Sequence, residues 1–376
     1  MTESEETGHT PSAQAEEGRH PRVGLVLGTG GVLGGAWLTG GLHALASETE
    51  WDPGSAEHIV GTSAGSMIGA LIAAGVPPWF MVAHSAGEVF EGLNGRDGRP
   101  TKEASRSAGA VFKLHRGIPM LGPGSLRLAL RAVSNPLQHT PLQVLSGWLP
   151  GGLISTDSLK ETVRRAVRSG WVEHPSFWAV ACDYGSGKRV PFGREDAPEA
   201  DLADAVAASC AIPGFYRPVE IGGRRYVDGG VCSASNLDLL ADRDLDLVIC
   251  LNPLSSRDQV GSLHPVDRLA QFSRGANGRR LGHEAKKVRA AGTEVVLLQP
   301  TEEDLQTMGR NWMSARRRHE VIELASSTVA EQLRAPELKA ALRRLPRGEP
   351  HKIARPPGPP SSWPPLGSAV RGRQAA

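Results

Sequence analysis

Residues 59–65 read Ile59-Val60-Gly61-Thr62-Ser63-Ala64-Gly65, a short apolar run that passes through Gly61-x-Ser63-x-Gly65 into an apolar, helix-forming stretch ending near Ala74. A strand that turns at once into a helix holds its middle residue on a sharp elbow. The hydroxyl then sits at the positive end of the helix dipole. Gly61 and Gly65 remove the side chains that would collide where strand and helix cross. Gly75 and then Pro77-Pro78 stop the predicted helix in the expected order.

Upstream, Val23–Leu27 is fully apolar and reads as a buried strand. It opens into Gly28-Thr29-Gly30-Gly31-Val32-Leu33-Gly34-Gly35 and a helix to about Ser47. Strand, glycine loop, helix, strand, glycine turn, helix is the pattern of a parallel sheet with right-handed crossovers. Downstream, residues 92–150 are rich in Gly and Pro, with only scattered apolar residues. A weakly structured segment of that length reads as a lid or substrate cap, the alternative being a bland insertion. Regular structure resumes at Ser158-x-x-Glu161, a predicted capping box. Strands are expected at Phe177–Cys182, Val190–Phe192, Arg217–Ile221, Arg224–Val227, Leu245–Leu251 and Glu294–Leu298. Helices are expected at Asp201–Ser209, about 264–291 and 313–334. Gly222-Gly223 is a two-residue hairpin signal, and the strand after it ends at Asp228-Gly229-Gly230.

Residues 1–20 carry five Glu and no apolar run, and residues 336–376 are basic and Pro-rich. Both are expected to be disordered tails around one domain at 21–335. The net charge of +2 excludes little, but residues 334–376 hold nine Lys or Arg against two Glu. The four cysteines are widely spaced with no metal-ligand spacing, so buried reduced thiols are expected, and neither a metal nor another cofactor. The acidic N-terminus lacks the basic n-region of a signal peptide, and the apolar stretch 23–46 is broken by eight glycines. The sequence therefore predicts a cytoplasmic protein, at most peripherally bound to membrane. Aromatic residues are 5% of the chain and not interleaved with basic ones, which argues against nucleic-acid binding.

Three features need one another chemically. A serine on an elbow is a poor nucleophile until a base takes its proton. Acyl transfer places negative charge on an oxygen, which needs fixed N–H donors. Gly28–Gly35, Ser63 and Asp228 would all lie at the carboxyl ends of parallel strands, where ligands bind in such sheets. The glycine loop by itself suits either a phosphate or an oxyanion. Gly28-x-Gly30-x-x-x-Gly34 also resembles a dinucleotide fingerprint, but the second strand ends in Gly61-Thr62-Ser63, without the acidic residue that would hold a ribose.

The loop Gly28–Gly35, Gly61-Thr62-Ser63-Ala64-Gly65, Ala208-Ser209-Cys210-Ala211-Ile212-Pro213-Gly214-Phe215 and Asp228-Gly229-Gly230 occur in the order and context of the patatin-like phospholipase family. The resemblance spans roughly residues 22–335. It implies a three-layer α/β/α sandwich with a mostly parallel central sheet and a Ser–Asp dyad without histidine. Carried over by position, Ser63 is the nucleophile and Asp228 the base. Gly30 and Gly31 line the oxyanion hole, while Gly28, Gly34, Gly61, Gly65, Gly229 and Gly230 shape the loops. The implied reaction is hydrolysis of an acyl lipid, a phospholipid or related ester, through an acyl-enzyme, with no metal. The family loop usually runs Gly-x-Gly-x-Arg-Gly; this chain has no arginine there and one more residue.

Alternatives stay open at this stage. They are a Ser-Asp-His triad using His264 or His283, a catalytically silent lipid-binding or scaffold protein on the same fold, and a nucleotide-dependent oxidoreductase. Asp183 reads as a turn former and Ser209 as structural. The basic residues of the 264–291 helix suit either a solvated face or contact with an anionic membrane.

Overall fold

The computed structural model describes residues 20–88, 124–134, 141–256 and 265–355. The acidic N-terminal stretch, the first part of the Gly/Pro-rich segment, His264 and the last residues of the basic tail lie outside the described residues. In chain order the elements run β1 (Val23–Leu27), α1 (Gly31–Thr49), β2 (His58–Thr62), α2 (Ala64–Ala73), α3 (Pro78–Ser85), α4 (Leu126–Ser134), α5 (Pro141–Trp148) and α6 (Asp157–Ala166). They continue with β3 (Phe177–Asp183), β4 (Arg189–Phe192), α7 (Leu202–Ser209), β5 (Val219–Ile221), β6 (Arg224–Asp228), β7 (Leu247–Leu251), α8 (Pro265–Ala290), β8 (Glu294–Leu298), α9 (Glu302–Met308) and α10 (Arg318–Leu333).

The strands form one mixed eight-stranded sheet in the order β5-β6-β3-β2-β1-β7-β8, with β4 also on β3. From β3 to β8 all neighbours are parallel. Alternate side chains of each strand enter opposite cores, as the two-residue period demands. Leu25 and Leu27 of β1 face a large core under α1, α2, α7 and α10, whereas Val26 faces a second core under α8. Helices on both faces bury both sides, which explains why the central strands are continuously apolar.

β3 is where the site is organised. Ala179 pairs with both Gly61 of β2 and Phe192 of β4, so those strands occupy opposite edges. Ala181 pairs with both Val190 of β4 and Asp228 of β6, so β6 shares the β2 edge. Along that edge Thr62 pairs with Val180 and Asp228 with the next residue, Ala181. β2 and β6 therefore run toward each other and meet end to end. The sequence reading had placed Asp228 at the end of a parallel strand; it arrives on an antiparallel one instead.

Three further expectations are corrected. The Ser158–Glu161 capping box does not form: α6 starts at Asp157, so Ser158 already lies in the first turn, and its buried hydroxyl has no partner. The described part of segment 92–150 holds two helices, α4 and α5; Pro141 opens the second, a position where its missing N–H costs nothing. Residues 336–355, assigned to a disordered tail, form short helical turns on the domain and bury Leu342, Leu345 and Ile353. The Trp79 indole donates to the His351 carbonyl at 2.8 Å, and Gly348 N–H to the Glu50 carbonyl at 2.6 Å. A few spaced apolar residues suffice there because α1 and α3 already supply a surface to cover.

Candidate active site

Ser63 joins β2 to α2 at φ 56° and ψ −121°, in the left-handed region that costs a non-glycine residue about 1–3 kcal/mol. Such a geometry persists only where the surroundings fix it. Ser63 N–H donates to Ser209 Oγ at 2.9 Å, and Ser66 N–H and Ser66 Oγ both donate to the Ser63 carbonyl, at 2.9 and 2.7 Å. Gly61 and Gly65 permit the crossing. A Cβ on Gly61 would lie 2.5 Å from the Gly65 carbonyl oxygen, and one on Gly65 would lie 2.0 Å from the Leu27 carbonyl oxygen. The start of α2 thus rests directly on the end of β1.

Asp228 ends β6 and is held from two sides. Its N–H donates to the Ala211 carbonyl at 3.0 Å, and its Oδ1 accepts from Gly230 N–H at 2.7 Å. A Cβ on Gly229 would lie 2.2 Å from the Val180 carbonyl oxygen, and one on Gly230 would lie 2.8 Å from the Thr29 methyl. The Asp-Gly-Gly turn therefore wedges between β3 and the loop after β1. Ser63 is 4% and Asp228 5% exposed. Burial raises the Asp228 pKa to about 6, opposed by contact with the Ser63 hydroxyl and by the Gly230 N–H. Among the described residues no histidine is found acting on Asp228; His283 is exposed on α8.

The loop after β1 is fixed at both ends. Gly28 N–H donates to the Leu251 carbonyl, Thr29 N–H to the Ala234 carbonyl, Leu33 N–H to the Trp312 carbonyl and Gly34 N–H to the Gly30 carbonyl. Between these anchors, the N–H groups of Gly30, Gly31 and Val32 have no acceptor among the described residues. They are the orphan donors of the first turn of α1. Gly31 takes φ 59°, and Gly30 packs so closely that a Cβ would lie 2.6 Å from Gly34 Cα. The lengthened, arginine-free loop is accommodated as the first turn of α1, with Trp312 and Met313 packed against Gly31.

Sequence reasoning named Ser209 as structural and missed its task. It also missed Asn236, whose Nδ2 donates to Thr62 Oγ1 at 3.0 Å, and Asn252, whose buried amide has no partner among the described residues and faces Gly28. Asn236 takes φ 55°, a region where Asn is favoured over other side chains. Cys210 is also close to Ser63, but burial pushes its thiol well up, so it stays neutral. All four cysteines are buried and free. Asp183 caps its own turn, accepting from Gly185 and Ser186 N–H at 2.8 Å each. Among the described residues no group of His, Cys, Asp or Glu converges as a metal-ligand set, and no single helix is long and apolar enough to cross a membrane.

Comparison with known proteins adds the family. The patatin-like phospholipase model matches residues 25–241, more than half of the chain and the stretch that carries Gly30, Gly31, Ser63 and Asp228. Uncharacterized NTE family proteins of Mycobacterium bovis and Mycobacterium tuberculosis are 31% identical over 118 residues, 31% of this chain and 31% of theirs. The chain thus matches about a third of the length of those relatives. The solved structure of VipD from Legionella pneumophila aligns at 12% identity and a TM-score of 0.38, over 84% of this chain and 67% of VipD. On the match at residues 25–241, which runs from the first strand past the Asp-Gly-Gly turn, this chain belongs to the patatin-like phospholipase family.

Proposed function

We propose that the protein hydrolyses carboxylic esters of lipids, with Ser63 as nucleophile and Asp228 as its general base. The observation that carries this reading is the end-to-end meeting of β2 and β6. It sets a strained serine beside a buried carboxylate, with unpaired N–H groups on the neighbouring loop.

Asp228, ionised above its raised pKa, takes the Ser63 proton as Oγ attacks the ester carbonyl. The developing oxyanion is met by the N–H groups of Gly30 and Gly31, each such donor being worth about 10²–10³ in rate. Collapse breaks the ester bond, and the alcohol leaves with the proton held by Asp228. Water then adds to the acyl-enzyme with Asp228 again as base, releasing the fatty acid and regenerating Ser63. In this reading no third residue relays the proton, and among the described residues no histidine is found acting on Asp228. The substrate class, a phospholipid or other acyl lipid, rests on the family.

The test is labelling with a fluorophosphonate probe, which phosphonylates an activated serine. Wild type should label, while Ser63→Ala and Asp228→Asn should not. Ser63→Ala protein that labels or cleaves esters like wild type would overturn the assignment. Folded wild type that neither labels nor cleaves any ester, with or without vesicles, would favour the silent lipid-binding alternative.

A further inference from the structure

Among the described residues, the large apolar side chains left exposed are Leu126, Leu130, Leu145, Trp148 and Leu153, at 49–58% exposure. All of them fall within one short stretch of chain, on or just after the α4–α5 hairpin. Scattered surface leucines need no explanation, but a concentration of this kind marks an interaction site.

The inner side of this hairpin is firmly attached. Gly124 N–H donates to the Leu149 carbonyl at 2.8 Å and Ser125 N–H to the Gly147 carbonyl at 3.1 Å, closing the hairpin. Ser125 Oγ donates to the Tyr184 carbonyl, the Tyr184 hydroxyl donates to the Ser146 carbonyl at 2.7 Å, and Arg225 reaches the Gly124 carbonyl at 3.1 Å. Leu128 is fully buried against Tyr184, Val227 and Val231. The outward leucines are therefore held in place on a fixed support rather than trailing from a loose loop.

Its location ties the surface to the site. α5 packs on the turn Gly229–Val231 that directly follows Asp228, and Leu149 lies against Gly214 in the segment that follows Ser209. Its charge indicates the occupant. The sequence of residues 124–134 and 141–156 includes Arg127 and Arg131 but no Asp or Glu, in a chain that holds 42 basic and 40 acidic residues in all. Exposed apolar side chains including a tryptophan, with the exposed Arg127 beside them, suit a lipid–water interface carrying negative charge.

We propose that the outer face of the α4–α5 hairpin docks on an anionic lipid bilayer and presents the catalytic elbow to it. This rests on the lipid-ester reading of the site, which it extends by naming the surface from which substrate enters.

The test is sedimentation of the full-length protein with vesicles of phosphatidylcholine alone or mixed with phosphatidylglycerol, comparing wild type with Leu130→Glu/Trp148→Glu. Hydrolysis of a soluble short-chain ester is measured in parallel. Wild type should bind the anionic vesicles more tightly than the neutral ones. The double variant should lose about tenfold or more of that binding while keeping its thermal melt and its soluble-ester activity. Equal binding by the variant, or no binding by wild type to either vesicle, would overturn the proposal. So would a wild-type dimer that the double variant dissociates, since a second copy would then cover the face. Loss of vesicle binding in a protein with no esterase activity at all would leave the docking surface standing and remove the hydrolase reading instead.

Discussion

Ser209 Oγ accepts the N–H of Ser63 at 2.9 Å while donating to the Val180 carbonyl at 2.6 Å, so one buried hydroxyl ties the elbow to the strand on which Asp228 is paired. Both partners are buried and would be left without a partner in Ser209→Ala. Stability should fall by about 1–3 kcal/mol. The labelling rate of Ser63 should fall too, because nothing else then holds its N–H in the strained turn. Denaturant melts and probe-labelling time courses on the same preparation check both. Unchanged labelling in protein that has lost the expected stability would show that the elbow is fixed by its glycines alone.

The Asp228 carboxylate provides a pH signature. Burial favours its neutral form and raises its pKa to about 6. With Asp228 in its proposed role as base, only the ionised form can take the Ser63 proton, so activity should be present above that pKa and disappear as pH falls through it. The expected profile of labelling against pH therefore has an acidic limb at about 6, well above that of an ordinary aspartate. A rate that stays flat from pH 7 to 5 would mean that Asp228 is not the base.

Much of this site is legible in the sequence because it is built from glycines at close approaches, and such positions cannot hide in composition. Gly61, Gly65 and Gly229 each face a backbone carbonyl at a distance that admits no Cβ. What escaped was set by tertiary pairing. That β6 approaches β2 head-on follows from two registers on β3, and no local pattern records it. The helix α9 was missed although Thr301 and Asp304 form a reciprocal capping box there, because its seven residues are too few for a clear period. The Ser158 signal failed for the opposite reason: the motif was present but the helix began at Asp157, two residues too early for Ser158 to cap it.

Two glycine-to-alanine changes should have opposite signs. In Gly65→Ala the new methyl would sit 2.0 Å from the Leu27 carbonyl oxygen, backbone that cannot yield without moving β1. A loss at or above the usual 1–3 kcal/mol of overpacking is expected, together with loss of labelling. Gly282 lies exposed within α8 with nothing within 4 Å of its would-be Cβ. There alanine should stabilise by about 0.5–1 kcal/mol, since it restricts the unfolded chain and suits the helix. Thermal or urea unfolding of the pair checks both; a destabilised Gly282→Ala would mean that the outer face of α8 is covered in solution.

Thr29, in the loop after β1, lies against the Asp-Gly-Gly turn, and its methyl supports Gly230. Its hydroxyl, however, is buried without a hydrogen-bond partner among the described residues. Valine keeps the methyl and the shape and removes the unpaired oxygen, so Thr29→Val should leave stability unchanged or raise it by about 1 kcal/mol. If the residue serves only as packing, labelling of Ser63 should be unaffected. If the hydroxyl instead contacts the bound ester, the variant will melt as wild type does, or higher, yet turn over substrate more slowly. Unfolding midpoints and ester turnover of this one variant therefore separate a packing residue from one that touches substrate, and the unpaired oxygen makes the stability arm the sharper of the two.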